Sequence, residues 1–279
     1  MKRGPSPPRI SLAQWSLHRS IQSGAIGKLD FPVIARREFD IDAVEFVNTL
    51  MPGSQKETLR ELRRRADGEG VAVLLVMVDD EGDLSHPDPR LRKKAARRHR
   101  KWIDAVAVLG GHAIRVNTGG EKLSPQTQSA PADSLALRDP ILRCAESCAD
   151  LADYARPLGV SILLENHGGL SANIPALVQV VETTDRVNVG TLPDFGNPTR
   201  RVDSYEAVQM MLPHAKAVSA KTFDFDEKGM ETTIDFPRML DLLRGVGYEG
   251  HLGIEYEGLR LSEMDGIRRS KELIERLLH

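Results

Sequence analysis

Several apolar, strand-like segments of this chain end in polar side chains that could carry out chemistry. Three of these side chains are carboxylates, Glu165, Asp194 and Glu255, and each closes a different segment. A buried ionised carboxylate is costly unless a cation or a hydrogen-bonding partner neutralises it. If the three segments end at one place, we expect a hard divalent ion such as Mg²⁺ or Mn²⁺ there. Taken singly, each acid has an alternative role as a helix N-cap or in a surface ion pair.

The alternation of side chains separates polar from apolar positions in the last two of these segments. Ser219 and Lys221 alternate with apolar residues in one of them, and Glu255 and Glu257 do so in the other. Because residues two apart in a strand share a face, we expect the polar set to point toward the site. There Lys221 would bind a substrate oxygen or transfer a proton. The alternative is a structural ion pair between Lys221 and Glu255 or Asp194.

Seven further residues at or near the strand ends are candidates for binding a substrate. Two of them, His18 and His167, are equally well explained as exposed loop histidines. The others are amides and acids, which are suited to hydrogen bonding with hydroxyl groups. The predicted substrate-binding set is His18, Glu45, Asn117, Asn166, His167, Asn197 and Glu257.

Apolar strand-like runs alternate with longer amphipathic runs along the whole chain, which predicts a parallel α/β sheet. The candidate strands number eight and span 10–15, 43–47, 71–78, 113–117, 160–165, 187–194, 215–221 and 251–256. The candidate helices lie near 29–38, 54–69, 89–109, 134–156, 173–184, 203–212, 235–245 and 262–278.

The length of the chain and the order of these elements favour a closed barrel over an open sheet. A (β/α)8 barrel typically needs about 250 residues, and this chain has 279. No G-x-G-x-x-G motif follows the first strand, which argues against a doubly wound nucleotide-binding sheet. We therefore expect an α/β fold in which residues 1–279 form one domain, a single (β/α)8 TIM barrel. The polar strand ends would then meet at one mouth.

Charge and hydropathy indicate a protein that acts on small molecules. Lys and Arg number 38 against 40 Asp and Glu, so the net charge of −2 gives no overall attraction to nucleic acid or anionic membranes. The longest apolar run, 70–78, is far shorter than the roughly 20 residues that span a bilayer, and the start of the chain lacks an apolar secretory segment. We expect a cytoplasmic protein without nucleic-acid or membrane partners. The sequence is compatible with a homo-oligomer.

Two predicted helices carry residues that have both a structural and a functional explanation. Cys144 and Cys148 are four residues apart in an Ala-rich segment, which predicts buried reduced thiols, with a redox or metal role as the alternative. The basic run at 90–102 resembles a nucleic-acid patch. However, Leu91, Trp102 and other apolar residues recur at helical spacing, which favours an outer helix with solvated basic residues over a subunit or nucleic-acid contact.

Four motifs in chain order resemble the xylose-isomerase-like TIM-barrel superfamily, in particular its sugar phosphate isomerases/epimerases, which are related to the apurinic-site endonucleases (AP endonuclease family 2). The motifs are LLENHGG at 163–169, TLPDFGN at 191–197, VSAK at 218–221 and GYEGHLGIEYEG at 247–258. The resemblance extends over nearly the whole chain. It implies a metal held by a strand-five Glu, a strand-six Asp, a strand-seven His and a strand-eight Glu. Glu165, Asp194 and Glu255 match three of these positions.

The sequence departs from that pattern at two histidines. The H-x-K of the family is Ser219-Ala220-Lys221 here, and its D-x-x-H ends in Asn197. His214 cannot replace the missing ligand, because it lies five residues upstream of Ser219, ~16 Å along a strand and on the opposite face. An oxygen-rich site favours Mg or Mn over Zn and argues against a multinuclear zinc centre. Ser219 is an additional metal-ligand candidate, and a site without metal is the alternative.

By resemblance, the expected reaction is an isomerisation or epimerisation of a sugar, with proton transfer α to a carbonyl through an enediolate. The catalytic residues would be Glu165 and Glu255, as an acid/base pair on opposite faces of the substrate, and Lys221. A keto-sugar or keto-glycoside lyase or hydratase could use the same site. The remaining alternatives are a phosphodiesterase acting on damaged DNA and a catalytically inactive carbohydrate-binding barrel.

Overall fold

A computed structural model describes residues 7–120 and 123–278 of the chain. The eight strands are β1 (Arg9–Ala13), β2 (Ala43–Val47), β3 (Ala72–Val78), β4 (Ala113–Val116), β5 (Ser161–Glu165), β6 (Val189–Leu192), β7 (Val218–Thr222) and β8 (His251–Tyr256). They pair in parallel in the order β6-β5-β4-β3-β2-β1-β8-β7. Two parallel bridges, Thr191 to Ala215 and Asp194 to Ser219, connect the region of β6 to that of β7. The predicted (β/α)8 fold is therefore confirmed.

Helices follow the strands and cover the outside of the sheet. Those within the described residues are α1 (His18–Gln22), α2 (Phe31–Phe39), α3 (Lys56–Gly68), α4 (Pro89–Leu109), α5 (Pro125–Gln128), α6 (Leu135–Ala155), α7 (Ile174–Thr184), α8 (Ser204–Met211), α9 (Phe236–Gly245) and α10 (Glu263–Leu278). Eight of them match the predicted helices, and the short helices α1 and α5 are additional. Among the helices of the described part of the chain, none combines the length and the apolar character needed to cross a membrane.

Helix α4 shows how local sequence sets these elements. The Asp88 side chain accepts a hydrogen bond from the backbone N–H of Arg90, and Pro89 occupies the first helical position. Gly110 ends the helix with a positive φ of 82°, a conformation that glycine adopts without strain. Trp102 is buried, whereas Leu91, which we expected on the same buried face, is 48% exposed. The apolar face therefore begins one helical turn later than the spacing predicted.

The basic side chains of α4 face outward and toward the neighbouring helix α6. Arg92 forms an ion pair with Glu146 at 3.0 Å, and Arg100 forms one with Asp150 at 2.9 Å. On the other side of α6, Cys144 and Cys148 are free thiols and fully buried. Both helices thus have the structural arrangement that the sequence favoured.

Candidate functional site

Three buried carboxylates converge at the C-terminal ends of the strands. Glu165 is the last residue of β5, Asp194 lies two residues beyond β6, and Glu255 lies in β8. Each offers one oxygen, and these oxygens all lie within 4.8 Å of one another. The side chains that were predicted to meet at the mouth therefore do meet there.

Asn166 holds Asp194 in place through the backbone. The Asn166 side-chain N–H₂ donates to the Asp194 carbonyl at 2.9 Å, and the Asp194 N–H donates to the Asn166 side-chain oxygen at 2.7 Å. The Asp194 Oδ1 atom accepts hydrogen bonds from the backbone N–H groups of Gly196 and Asn197. Asn166 is fully buried, so it contributes to the shape of the site, whereas we expected it to bind substrate.

Lys221 points inward and lies among several acceptors. Its Nζ atom is 3.2 Å from Glu255 Oε1, 3.1 Å from Glu257 Oε1, 2.9 Å from Asn197 Oδ1 and 3.9 Å from Asp194 Oδ2. Burial opposes the charge, but the surrounding carboxylates outweigh this effect and raise the pKa of Lys221. The ammonium group is therefore protonated at neutral pH.

Ser219 and Asn197 occupy the two positions where the family pattern has histidine. The Ser219 hydroxyl donates to Glu255 Oε2 at 3.1 Å. The Asn197 amide donates to Glu165 Oε1 at 3.0 Å and accepts from Lys221. Both side chains therefore orient the acids of the cluster.

Sequence reasoning missed an arginine at the centre of the site. The Arg115 Nε atom in β4 is 2.8 Å from Glu165 Oε2, and its Nη1 atom is 2.6 Å from Asp79 Oδ1. Asn117 accepts from Arg115 at 3.2 Å and donates to Asp79 at 2.7 Å. A signal was present, because Arg115 is a charged residue inside an apolar strand and has the same side-chain parity as Asn117. Asn117 therefore supports the Arg115–Asp79 pair, whereas we expected it to contact substrate.

The electrostatics of the cluster favour a bound cation. Burial raises the pKa of Glu165 to about 8 and that of Asp194 to about 6. Burial also acts to raise the pKa of Glu255, but Lys221 and Arg115 outweigh it and lower that pKa. Moreover, Asp194 Oδ2 has no hydrogen-bond partner among the described residues. A divalent ion would relieve both the excess negative charge and this unpaired oxygen, so the residues present fit such an ion.

The site opens into a cavity of about 940 Å³ at the mouth of the barrel. This volume lies within the usual range for small-molecule sites, about 300–1,000 Å³. Its lining includes both apolar and polar side chains, namely Trp15, Arg115, Glu165, His167, Asn197, Lys221, Glu255 and Glu257. His167, Asn197 and Glu257, three of the predicted substrate-binding residues, thus face the cavity.

Two other predicted substrate-binding residues take structural positions. Glu45 is buried inside the barrel, where it accepts a hydrogen bond from Ser11 at 2.7 Å, and burial raises its pKa to about 7. His18 packs against the Trp15 ring with centroids 4.7 Å apart, and its Nδ1 atom lies 2.7 Å from the Trp15 carbonyl. Trp15, rather than His18, lines the cavity.

Comparisons with known proteins agree with this fold. The chain is 27% identical over 254 residues to the uncharacterized protein MJ1311 of Methanocaldococcus jannaschii. This alignment covers 86% of the present chain and 82% of that protein. The structure of the present chain resembles that of L-ribulose 3-epimerase, with a TM-score of 0.75 and 18% identity. The match covers 97% of this chain and 94% of the other. The structure also resembles a xylose isomerase-like TIM-barrel protein from Mycobacterium smegmatis in complex with magnesium, with a TM-score of 0.67, 18% identity, and coverage of 98% and 97%.

A family model described as xylose isomerase-like TIM barrel matches residues 34–277. This range includes β2 to β8 and all three converging carboxylates. The chain therefore belongs to the xylose isomerase-like TIM-barrel family.

Proposed function

We propose that this protein is an isomerase or epimerase that moves a proton at the carbon next to the carbonyl of a sugar or sugar derivative. The observation that carries this proposal is the meeting of Glu165, Asp194 and Glu255 within 4.8 Å, with Glu165 and Glu255 lining an open cavity. The structural likeness to L-ribulose 3-epimerase supports the same class of substrate.

Glu165, Asp194 and Glu255 would hold one divalent metal ion. Such an ion acts as a Lewis acid, which polarises the carbonyl and hydroxyl oxygens of a sugar. Mg²⁺ or Mn²⁺ is favoured over Zn²⁺, because the cluster supplies oxygen ligands and the neighbouring position on β7 is a serine. The magnesium complex of the Mycobacterium smegmatis protein supports this choice.

Glu165 and Glu255 are the acid/base pair in this proposal. One carboxylate accepts the proton from the carbon, and the other returns a proton on the opposite face, which inverts that carbon. Lys221, held by Glu255, Glu257 and Asn197, would stabilise the negative charge that develops on a substrate oxygen, either through its positive charge or by exchanging one of these acceptors for that oxygen. His167 and Glu257 would bind hydroxyl groups at the cavity wall.

The proposal is tested by proton exchange in D₂O. Purified protein with Mg²⁺ or Mn²⁺ is incubated with a panel of keto sugars, and mass spectrometry and NMR follow the products. We expect deuterium at the carbon next to the carbonyl and an epimer or isomer of otherwise unchanged mass. Glu165→Gln and Glu255→Gln should abolish exchange, whereas Glu146→Gln, on the surface of α6, should not.

Other outcomes favour the alternatives. A product that has lost water or split into two parts would replace epimerisation with β-elimination after the same proton abstraction. Binding of sugars without any exchange by the wild-type protein would contradict the proposed enzyme and leave a carbohydrate-binding barrel.

A further inference from the structure

Arg115 is a buried cation that the proposed reaction does not use. Only 4% of its surface is exposed, although its side chain contributes to the cavity lining. It projects from the inward face of β4, directly beside β5, which carries Glu165. A charged group in such a position is normally kept because it acts on its neighbours or on a ligand.

Arg115 contacts Glu165 of the carboxylate cluster on one side and Asp79 and Asn117 on the other. Its Nε atom lies 2.8 Å from Glu165 Oε2, the oxygen that Asn197 does not contact. Its Nη1 atom is held by Asp79 and Asn117. Its Nη2 atom makes no hydrogen bond to any residue in 7–120 or 123–278. Arg115 is thus fixed by the outer pair, and its Nε atom forms an ion pair with Glu165 Oε2 without a hydrogen bond between the two atoms.

This position has a consequence for any cation bound by the three carboxylates. A guanidinium is charged at every physiological pH, so one contact away from a metal ligand it repels a divalent ion and competes for the charge of Glu165. In a buried, low-dielectric site this repulsion is screened far less than in water. The Lys221 ammonium group, next to Asp194 and Glu255, also repels a cation bound by the three carboxylates.

We propose that Arg115 is a positioning residue that sets the metal affinity of the site: its charge partly neutralises Glu165, so that the divalent ion is held weakly. The inference rests on the proposed metal-dependent function. It predicts that the ion exchanges readily and that sugar oxygens complete its coordination when substrate binds. A residue that only supported the fold would have the opposite effect on removal, because loss of support loosens a metal site.

The test is titration of Mn²⁺ into the metal-free proteins by calorimetry. Arg115→Gln removes the charge but keeps an amide that can reach Glu165 or Asp79, and it should bind Mn²⁺ at least about tenfold more tightly than wild type. Arg115→Lys keeps the charge and should stay within about threefold of wild type. Arg92→Gln, which removes a partly buried arginine paired with Glu146 away from the cavity, is the matched control and should leave Mn²⁺ affinity unchanged.

The outcomes separate this inference from the proposed function. Equal or weaker Mn²⁺ binding by Arg115→Gln, with clear binding by wild type, would overturn the role of Arg115 and leave the metal site intact. Binding by neither protein, together with no proton exchange in any keto sugar, would overturn the proposed function and the inference with it. Binding by Arg115→Gln alone would support the inference directly.

Arg115→Gln could lose its fold without metal, because Glu165 and Asp79 would face each other without a cation. In that case Mn²⁺ is added while far-UV circular dichroism is followed. Recovery of the helical signal at a Mn²⁺ concentration below the wild-type dissociation constant would support the proposed role. No recovery at concentrations that saturate the wild-type protein would contradict it.

Discussion

Lys221 on β7 and Glu255 on β8 are direct cross-strand partners, and their charged atoms lie 3.2 Å apart inside the barrel. Their register places both side chains on the same inward face, two residues beyond the Ser219–Gly253 pair. Each acid of the site is similarly fixed by a hydrogen-bond donor: Glu255 by Lys221, Glu165 by the Asn197 side chain, and Asp194 by the backbone N–H of Asn197. The carboxylates are thus oriented before any ligand binds.

This pairing predicts that Lys221 matters more for turnover than for folding. Lys221→Met should lower kcat/KM for the keto-sugar substrate by roughly 10² or more, since the positive charge that stabilises the developing negative charge is lost. With Mn²⁺ bound, the ion should neutralise the acids that Lys221 leaves, and the melting temperature should change little. Lys271→Met, which removes a lysine paired with Glu275 on α10, is the control. Full activity in a folded Lys221→Met protein would exclude Lys221 from the mechanism.

Metal analysis gives a second prediction. Purified protein should contain Mg or Mn, or take up either ion, because all the candidate ligands within the described residues are oxygen atoms. Elemental analysis by mass spectrometry after dialysis measures this. Stoichiometric zinc that survives dialysis would contradict the proposed ligand set.

The raised pKa values of Glu165, about 8, and Asp194, about 6, predict how stability depends on pH. Both values exceed the ordinary value in the unfolded chain, so the folded metal-free protein binds more protons. Its free energy of unfolding should therefore fall as pH rises from about 4 to 8, by several kcal/mol. Saturating Mg²⁺ should weaken this trend, because the ion holds both acids ionised in the folded state, and the remaining slope should come from Glu45, whose pKa burial raises to about 7.

Urea unfolding at pH 5.5, 7.0 and 8.0, with EDTA or with Mg²⁺, tests the sign of this dependence. Asp194→Asn should flatten the slope seen with EDTA. A metal-free protein that gains stability toward pH 8 would show that these acids are ionised without a metal.

The sequence was sufficient to predict which residues reach the site where the strand itself continues to the site. Glu165 and Glu255 end apolar runs, so their convergence follows from the geometry of a parallel barrel. The alternation of side chains gave a wrong prediction where the first strand is shorter than expected. The predicted first strand extends to residue 15, but β1 ends at Ala13 and a 3-10 turn follows over Gln14–Leu17. Because of this turn, Trp15 lines the cavity and His18 packs against the Trp15 ring.

Arg115 and Asn166 show a second kind of limit. Both lie at or near strand ends, but only the packed structure reveals which side chain faces the cavity and which one supports a neighbour. Asn166, just after β5, uses both its donor and its acceptor on the backbone of Asp194, which lies 28 residues later, just after β6. Hydrogen-bond partners of this kind depend on tertiary contacts that no local pattern encodes.

The last prediction concerns Ser219, where the family pattern has a histidine. Its Oγ atom lies 3.1 Å from Glu255 Oε2, and Asp194 is its partner in the bridge between the β6 and β7 regions. Ser219→His should therefore place an imidazole nitrogen beside two of the three carboxylates. Divalent-ion affinity should increase by about tenfold or more, and the preference should move toward Zn, Co or Mn, which imidazole suits better than Mg.

Space at this level decides whether the substitution succeeds. The cross-strand neighbour of Ser219 is Gly253, which has no side chain, but the Glu45 carboxylate lies where a Cβ of residue 253 would be. An imidazole at position 219 must therefore share this layer with Glu45. Calorimetric titration of metal into wild type, Ser219→His and Ser219→Ala separates the cases, since alanine removes only the hydroxyl group. Tighter binding by the histidine variant alone would support the arrangement, whereas unchanged affinity in a folded Ser219→His protein would show that position 219 does not border the ion.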